Sequence, residues 1–278
     1  MRRLFLALAG LLFISAATAA AQPQAVFKLE SYRKTVALHA TVGGHDGLFL
    51  LDTAGGITLL SPAFAAKAGC KPWGRLSGFQ MMGQRLDAPR CDNIDFTLGD
   101  QVLRAPVTAV LDVAPLVAKD AAPVAGSIAL DLFAGKTITV DLPGRRLIVE
   151  SPASLQERIA HARELPVLLS REMQGRALAA SVGVATSRGM LWFELDTGNG
   201  GTLLVSQPYA TLVGLDPTAK GPQQANFPVA AGLRAQGTAF TPDMILDGNL
   251  GMPFLRDKVI TLDLQTGRLW IAQGKPRG

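Results

Sequence analysis

Apolar and polar residues alternate in short runs along most of the chain. Clear examples are "KTVALHATVGG" (34–44), "IDFTLGDQVLRAPVTAVLDV" (94–113), "KTITVDLPGRRLIVE" (136–150), "RALAASVGVA" (176–185) and "KVITLDLQTGRLWIA" (258–272). Gly, Pro, Asn and Asp interrupt these runs, so turns follow one another at close spacing. This pattern predicts the short strands of an all-β protein and not the βαβ units of a parallel sheet.

Helical patterns are few. "SPAFAAKAGC" (61–70) and "SQPYATLVGL" (206–215) each predict one short helix that begins at Ser or Pro and ends at Gly69 or Gly214. The longer segment "SLQERIAHAREL" carries a Ser and a Glu at capping-box spacing and an apolar face, which predicts a linker helix over 153–165. The alternative is a surface helix inside a single domain.

The chain repeats itself. "FLLDTAGGITLLS" at 49–61 returns as "FELDTGNGGTLLV" at 193–205, and the segment 126–148 returns, more loosely, at 248–271. Two similar strings in the same order predict two similar lobes. We therefore expect an N-terminal lobe at 22–152 and a C-terminal lobe at 166–278.

The N-terminus, "MRRLFLALAGLLFISAATAAAQ", has two arginines, an apolar run and a small-residue end. This pattern is typical of a secretory signal peptide, here residues 1–21, and the apolar run is too short for a stable membrane span. We expect the mature chain to be periplasmic or secreted, with no membrane span.

Charge is nearly balanced. The chain has 27 basic and 22 acidic residues, and loss of Arg2 and Arg3 with the signal peptide leaves 25 against 22. Such a balance gives little attraction to anionic partners, and no Lys/Arg cluster has interleaved aromatic residues. We expect no nucleic-acid partner and, because one chain carries both halves of the repeat, a monomer.

Two cysteines, Cys70 and Cys91, are predicted to form a disulfide in an oxidising compartment. A metal-binding or nucleophilic role is the alternative. The three histidines (39, 45 and 161) are scattered and lack metal-ligand spacing, so no metal and no cofactor are expected.

The repeated Asp-Thr follows an apolar strand in each half. An isolated carboxylate at the end of a buried strand is costly unless it is hydrogen-bonded or paired, so a lone motif predicts only a capped turn. Two such motifs in lobes related by an approximate two-fold axis would bring two carboxylates together. Such a pair shares a proton, one member acting as base toward a water and the other as acid toward a carbonyl.

The pair "LLDTAGG" and "ELDTGNG", with the later "SIAL" and "NLGM", resembles the pepsin and retropepsin superfamily of aspartic proteases, and most closely the bacterial exported retropepsin-like proteins with two fused lobes. The resemblance implies a bilobal acid-protease fold with two β-barrel-like lobes related by a pseudo-two-fold axis. It also implies that Asp52 and Asp196 form a catalytic dyad. In this family the two aspartates of the dyad share one proton.

Other residues take their expected roles from the same resemblance. Thr53 and Thr197 would lock the two loops by crossing hydrogen bonds, and Gly198 would lie beside the substrate backbone. A single flap is expected at 73–89, with its tip residues Phe79, Met81 and Met82; a purely structural hairpin is the alternative.

The chain departs from the family pattern at two positions. Ala54 replaces the Gly of the first Asp-Thr-Gly, and Ala129 replaces a later Gly. We expect an aspartic endopeptidase acting on exported peptides or unfolded proteins. The alternative is a catalytically weak or inactive binding or assembly protein, which Ala54 favours. The segment "AGKT" lacks the first Gly of a P-loop, and no Gly-x-Ser-x-Gly occurs.

Overall fold

The computed structural model describes residues 21–113 and 121–274. The predicted signal peptide lies outside the described residues except for Ala21. The expected fold class is confirmed: the protein is all-β, with two lobes and a few short helices. No helix in the described part of the chain is long and apolar enough to cross a membrane.

The first lobe is built on an eight-stranded sheet, in which residues 41–42 also pair with residues 96–97 and partly close the sheet into a barrel. Its strands, in sheet order, are β2 (Glu30–Tyr32), β3 (Thr35–Val42), β4 (His45–Leu51), β9 (Gly126–Ile128), β5 (Leu59–Leu60), β8 (Gln101–Val110), β7 (Arg85–Leu98) and β6 (Trp73–Phe79).

The second lobe is built on a seven-stranded sheet with the same central pairing. Its strands, in sheet order, are β13 (Val167–Ser170), β14 (Ala179–Thr186), β15 (Gly189–Leu195), β19 (Gly248–Leu250), β16 (Leu203–Val205), β18 (Leu233–Phe240) and β17 (Gln223–Ala230). In each lobe the strand before the Asp-Thr pairs in parallel with a short strand from the second repeated segment, β4 with β9 and β15 with β19.

A third sheet of six strands takes strands from both halves of the chain. Its strands, in sheet order, are β1 (Ala25–Lys28), β11 (Arg146–Val149), β10 (Thr137–Asp141), β20 (Lys258–Asp263), β21 (Arg268–Gln273) and β12 (Arg163–Leu165). Strands β10 and β20 pair antiparallel with Thr139 opposite Thr261, and the two hydroxyl oxygens lie 2.8 Å apart. These two residues are equivalent in the repeat, so the pseudo-two-fold axis passes between them.

Alternation explains how the strands pack. In β15, Leu191, Phe193 and Leu195 are buried in the core, while the residues between them point to the opposite face. Fully buried phenylalanines fill both lobes, with Phe49 and Phe96 packed edge to face in the first lobe. A hydrophobic residue at every second position therefore leaves the alternate positions free to line a site.

The helices are short. Within residues 21–113 and 121–274 they are α1 (Pro62–Lys67), α2 (Pro152–Ile159) and α3 (Met252–Leu255), with two 3₁₀ helices at Leu130–Phe133 and Gln207–Val213. The two helices predicted after the repeats are present, α1 capped by Ser61 and the second 3₁₀ helix ending at Gly214 in a left-handed conformation.

The predicted linker helix is wrong in its bounds. Helix α2 is capped by Ser151, whose side chain accepts the Ser154 N–H while the Ser154 hydroxyl accepts the Ser151 N–H. The predicted Ser154–Glu157 box is therefore displaced by one turn. The second part of the predicted helix becomes β12, because pairing with β21 satisfies its backbone.

Candidate active site

Asp52 and Asp196 each come directly after a central strand of one lobe, β4 or β15. The Asp52 N–H donates to Ile128 O at 3.0 Å, and the Asp196 N–H donates to Leu250 O at 3.1 Å. The two loops thus leave their sheets in the same way, and the pseudo-two-fold axis brings them face to face.

Two threonines join these loops by four crossing hydrogen bonds. The backbone N–H of Thr53 donates to Thr197 Oγ1, and that of Thr197 donates to Thr53 Oγ1, each at 3.1 Å. The Thr53 hydroxyl donates to Leu195 O at 2.5 Å, and the Thr197 hydroxyl donates to Leu51 O at 2.6 Å. Both threonines are buried, and each directly follows one of the two aspartates.

The two carboxylates converge beside Gly198. A methyl group on Gly198 would lie 2.9 Å from Asp52 Oδ1 and 3.1 Å from Asp196 Oδ1, closer than ordinary packing allows. One point therefore touches both carboxylates, and a single small molecule such as water can reach both. Glycine is required here because any side chain would occupy that point.

The hydrogen bonds around the two carboxylates are unequal. Asp196, only 4% exposed, accepts the Gly198 N–H at 2.7 Å, the Asn199 N–H at 3.0 Å and the Asn249 side-chain amide at 2.7 Å. Asp52 is less buried and accepts the Ala54 N–H at 3.2 Å. Because donated hydrogen bonds favour the charged form, this arrangement favours ionised Asp196 beside protonated Asp52.

Both carboxyl groups hold their protons more tightly than usual. Burial, and then the charge of Asp196, raise the pKa of Asp52 to about 7. Burial also raises the pKa of Asp196, while the hydrogen bond from Asn249 acts in the opposite direction. Two facing carboxylates titrate as a pair, so one shared proton is retained over a wide pH range.

A third carboxyl group, Glu194, was missed by the sequence reasoning. It lies two residues before Asp196 in β15, on the face opposite the buried Phe193 and Leu195. Burial, followed by the charges of Asp196 and Asp52, raises its pKa to about 8. The signal was present in "FELDTG", since residues two apart in a strand point to the same face.

An amide network supports the second loop and was also not predicted. The Asn199 side chain donates to Asn249 Oδ1 at 2.8 Å and accepts the Thr202 hydroxyl at 3.0 Å. Asn249 is fully buried, and its side-chain amide donates a hydrogen bond to the Asp196 carboxylate. These contacts orient the Asp196 carboxylate, and only the placement of Asn249 in the second repeated segment hinted at them.

The first lobe uses a carboxylate in the corresponding region. Asp131 accepts the Thr58 N–H at 2.9 Å and the Thr58 hydroxyl at 2.7 Å, and the Ala129 N–H donates to Thr58 Oγ1 at 3.1 Å. Burial raises the pKa of Asp131 to about 6. The two lobes thus support their loops with different chemistry.

The two departures from glycine are accommodated. Ala54 is not among the residues with positive φ, and its N–H still reaches Asp52. Ala129 is fully buried, whereas a methyl group on the equivalent Gly251 would lie 2.5 Å from Asn199 O. Ala54 therefore carries no left-handed backbone strain.

The predicted flap is a β-hairpin formed by β6 and β7, and it reaches across to the second half of the chain. Met81 O, in its turn, accepts the Ile245 N–H at 3.0 Å. Phe79 and Met82 are exposed, Phe79 at 62%, and Ile245 is 59% exposed. The hairpin therefore bridges the two lobes and presents apolar side chains near its tip.

The remaining candidate residues lie away from the carboxylates. Cys70, after α1, forms a disulfide with Cys91 of β7, with their Cα atoms 6.2 Å apart. Among the described residues, no group of three or more His, Cys, Asp or Glu side chains could hold a metal ion.

Comparisons with known proteins bear on the fold. No family model matches the chain, and no curated protein matches it. Basic 7S globulin from soybean is similar in structure, with a TM-score of 0.56 and 9% identity over 89% of this chain and 94% of the globulin. Conglutin gamma, a basic 7S globulin from lupine seeds, has a TM-score of 0.58 and 9% identity over 91% of this chain and 96% of that one.

These findings correct the family predicted from the sequence. Both of these solved structures are basic 7S globulins and not retropepsin-like proteins, so the assignment to that family is wrong. The family assignment rested on the short Asp-Thr motifs, and these motifs specify the two loops and not the rest of each lobe. At this level of identity the likeness shows the fold, and the chain is similar to basic 7S globulins in its two-lobed β architecture.

Proposed function

We propose that the cleft between the lobes binds an extended peptide and that Asp52 and Asp196 hydrolyse it with one water. The observation that carries this proposal is the convergence of both carboxylates on one point beside Gly198. The exposed apolar side chains at the hairpin tip and at Ile245 supply surfaces for the peptide's own apolar groups.

The chemistry follows from the unequal hydrogen bonding. Ionised Asp196 takes a proton from the water as its oxygen attacks the peptide carbonyl, and protonated Asp52 gives its proton to the carbonyl oxygen. Asp196 then gives the proton that it took from the water to the amide nitrogen, while one hydroxyl of the tetrahedral intermediate returns a proton to Asp52. The C–N bond breaks, and an acid and an amine leave. The dyad begins the next cycle with one proton shared between its members.

The pH range of this activity follows from the pKa of Asp52. Because that pKa is raised to about 7, the pair keeps its shared proton from weakly acidic pH to near neutrality. Above that range both carboxylates ionise and the general acid is lost. Activity should therefore fall as pH rises through about 7.

A second function is favoured by the comparisons. Neither similar structure is named as a peptidase; both are named as globulins. The same cleft would then bind peptides or unfolded chains without cutting them, as a catalytically weak or inactive binding or assembly protein. The comparisons support this second function better than hydrolysis, whereas the dyad geometry supports hydrolysis. For either function we propose a periplasmic or secreted location, from the signal-like segment 1–21.

One experiment separates the two functions. The mature chain is incubated with a reduced, unfolded protein between pH 4 and 8, beside Asp52→Asn and Asp196→Asn, and products are identified by mass spectrometry. Hydrolysis predicts new termini with wild type and none with either variant. Binding alone predicts no cleavage by any of the three, with labelled peptide still retained in a fluorescence anisotropy assay. Cleavage that persists in both variants would contradict the dyad.

A further inference from the structure

A basic groove lies beside the loop that follows Asp196. It has a volume of about 420 Å³ and is lined by residues of both halves, including Arg33, Lys34, Arg145, Arg256 and the backbone of Gly200 and Gly201. Neither aspartate and no residue of the hairpin lines it. Its cations come from three turns or helix ends that are distant in sequence, so the fold gathers them.

Three of the groove cations differ from most other arginines of the chain in their charge partners. Arg85, Arg104, Arg146, Arg158 and Arg268 each form an ion pair with a carboxylate. Lys34, Arg145 and Arg256, by contrast, make no ion pair with any residue of the described part of the chain. Arg256 uses its Nε to donate to Met252 O at 3.0 Å, which leaves its terminal amino groups for a ligand.

The acidic residues next to the groove cations in sequence are bound elsewhere. Glu30 lies beside Lys28 and His39, Asp141 accepts from Arg146 at 2.6 Å, and Asp257 is paired with Lys258. These carboxylates therefore do not neutralise the groove. Cations gathered around a concave surface produce a positive potential that attracts small anions.

The backbone holds two of the cations in an uncommon conformation. Arg33 has a φ of 55° and Arg145 a φ of 52°, in the left-handed region that usually favours Gly or Asn. Across the groove, a methyl group on Gly200 would lie 2.8 Å from Lys34 Cβ, so glycine lets the loop after Asp196 lie against the first half. The groove walls are thus fixed by close backbone packing.

We propose that this groove binds a small soluble molecule that carries a diphosphate or polyphosphate. A guanidinium group can donate two parallel hydrogen bonds to the oxygens of one phosphate. Several cations around one groove favour a compact ligand that carries more than one negative charge. The volume lies within the range of about 300–1,000 Å³ that small-molecule sites occupy. The proposal is independent of peptide hydrolysis, because no member of the dyad lines the groove.

The test is calorimetric titration of the mature chain with inorganic pyrophosphate at low salt. The double variant Lys34→Gln/Arg145→Gln removes two cations without touching the Arg256 contact to helix α3. The control is Arg188→Gln, which removes one positive charge at a turn outside the groove. Thermal unfolding of each variant checks that it is folded.

Binding by wild type and by Arg188→Gln, weakened at least about 10-fold in the double variant, would support the proposal. Absence of pyrophosphate binding to wild type, or equal affinity of the folded double variant, would overturn it. Sedimentation with phosphatidylglycerol vesicles forms the second arm. Vesicle binding that needs Lys34 and Arg145, without pyrophosphate binding, would assign the groove to a lipid surface and also overturn it.

Discussion

Thr197→Val is the substitution that most sharply tests how the two lobes are held together. The change keeps the β-branched shape and removes the hydroxyl. It deletes the bond from the Thr197 hydroxyl to Leu51 O, 2.6 Å, and the bond from the Thr53 N–H to Thr197 Oγ1, 3.1 Å. Both lost partners are backbone groups at a buried junction.

The expected loss of stability follows from these two unpaired backbone groups. Leaving a buried donor or acceptor unpaired costs about 1–3 kcal/mol, so two of them give about 2–6 kcal/mol of lost stability. Urea unfolding followed by circular dichroism measures this free energy. The control is Thr238→Val, a half-buried strand position whose hydroxyl has no hydrogen bond within the described residues, and it should change stability by less than about 0.5 kcal/mol.

The crossing pattern of hydrogen bonds also predicts the effect of Thr53→Val in the same unfolding assay. Thr53→Val should cost a similar amount, because it deletes the mirror-image pair of bonds. A loss below about 0.5 kcal/mol for both Thr53→Val and Thr197→Val would refute the reasoning, since it would mean that water or another group replaces these bonds without cost.

Three further predictions concern the site and the fold. Gly198→Ala should lower peptide cleavage about 100-fold because its methyl group would displace both carboxylates, while Gly221→Ala, with open space around it, should leave the rate unchanged. Burial raises the pKa of Glu194 from 4.5 to about 8, so the unfolded chain releases this proton at a lower pH than the folded chain. Wild type should therefore lose stability as pH rises from 4.5 to 8, and Glu194→Gln should lose less stability between these two pH values, as measured by urea unfolding. An identical pH dependence would contradict a buried, protonated Glu194. Replacing both Cys70 and Cys91 with Ser should cost about 2–4 kcal/mol in the same assay, by freeing the unfolded chain, and no loss would mean that the disulfide adds nothing to stability.

The repeated pattern was enough to predict the architecture. Offsets between equivalent residues, such as Asp52 with Asp196, required two similar lobes, and period-two alternation required strands. The structure agrees because the same two signals decide which residues are buried. The helix at 153–165 was misplaced because Ser151 forms the cap with Ser154 one turn before the predicted Ser154–Glu157 box, and because residues 163–165 pair with β21 as strand β12.

The support of the site was harder to predict. Asn249 reaches Asp196 through strand pairing between segments far apart in sequence, and Glu194 gains its raised pKa only when both aspartates lie near it. The basic groove likewise depends on three turns meeting in space. The family was misassigned for a related reason: two short loops were conspicuous in the sequence, while overall similarity lies in the arrangement of the sheets.

The central claim is that Asp52 and Asp196 act together on a peptide bond. It is tested most directly by the kcat/KM for an unfolded protein or derived peptide, measured near pH 5 for wild type and Asp196→Asn in parallel. We expect cleavage by wild type and a decrease of at least about 100-fold in the variant, because the general base is removed. Equal rates in the two proteins, or no cleavage by folded wild type at any pH between 4 and 8, would contradict it.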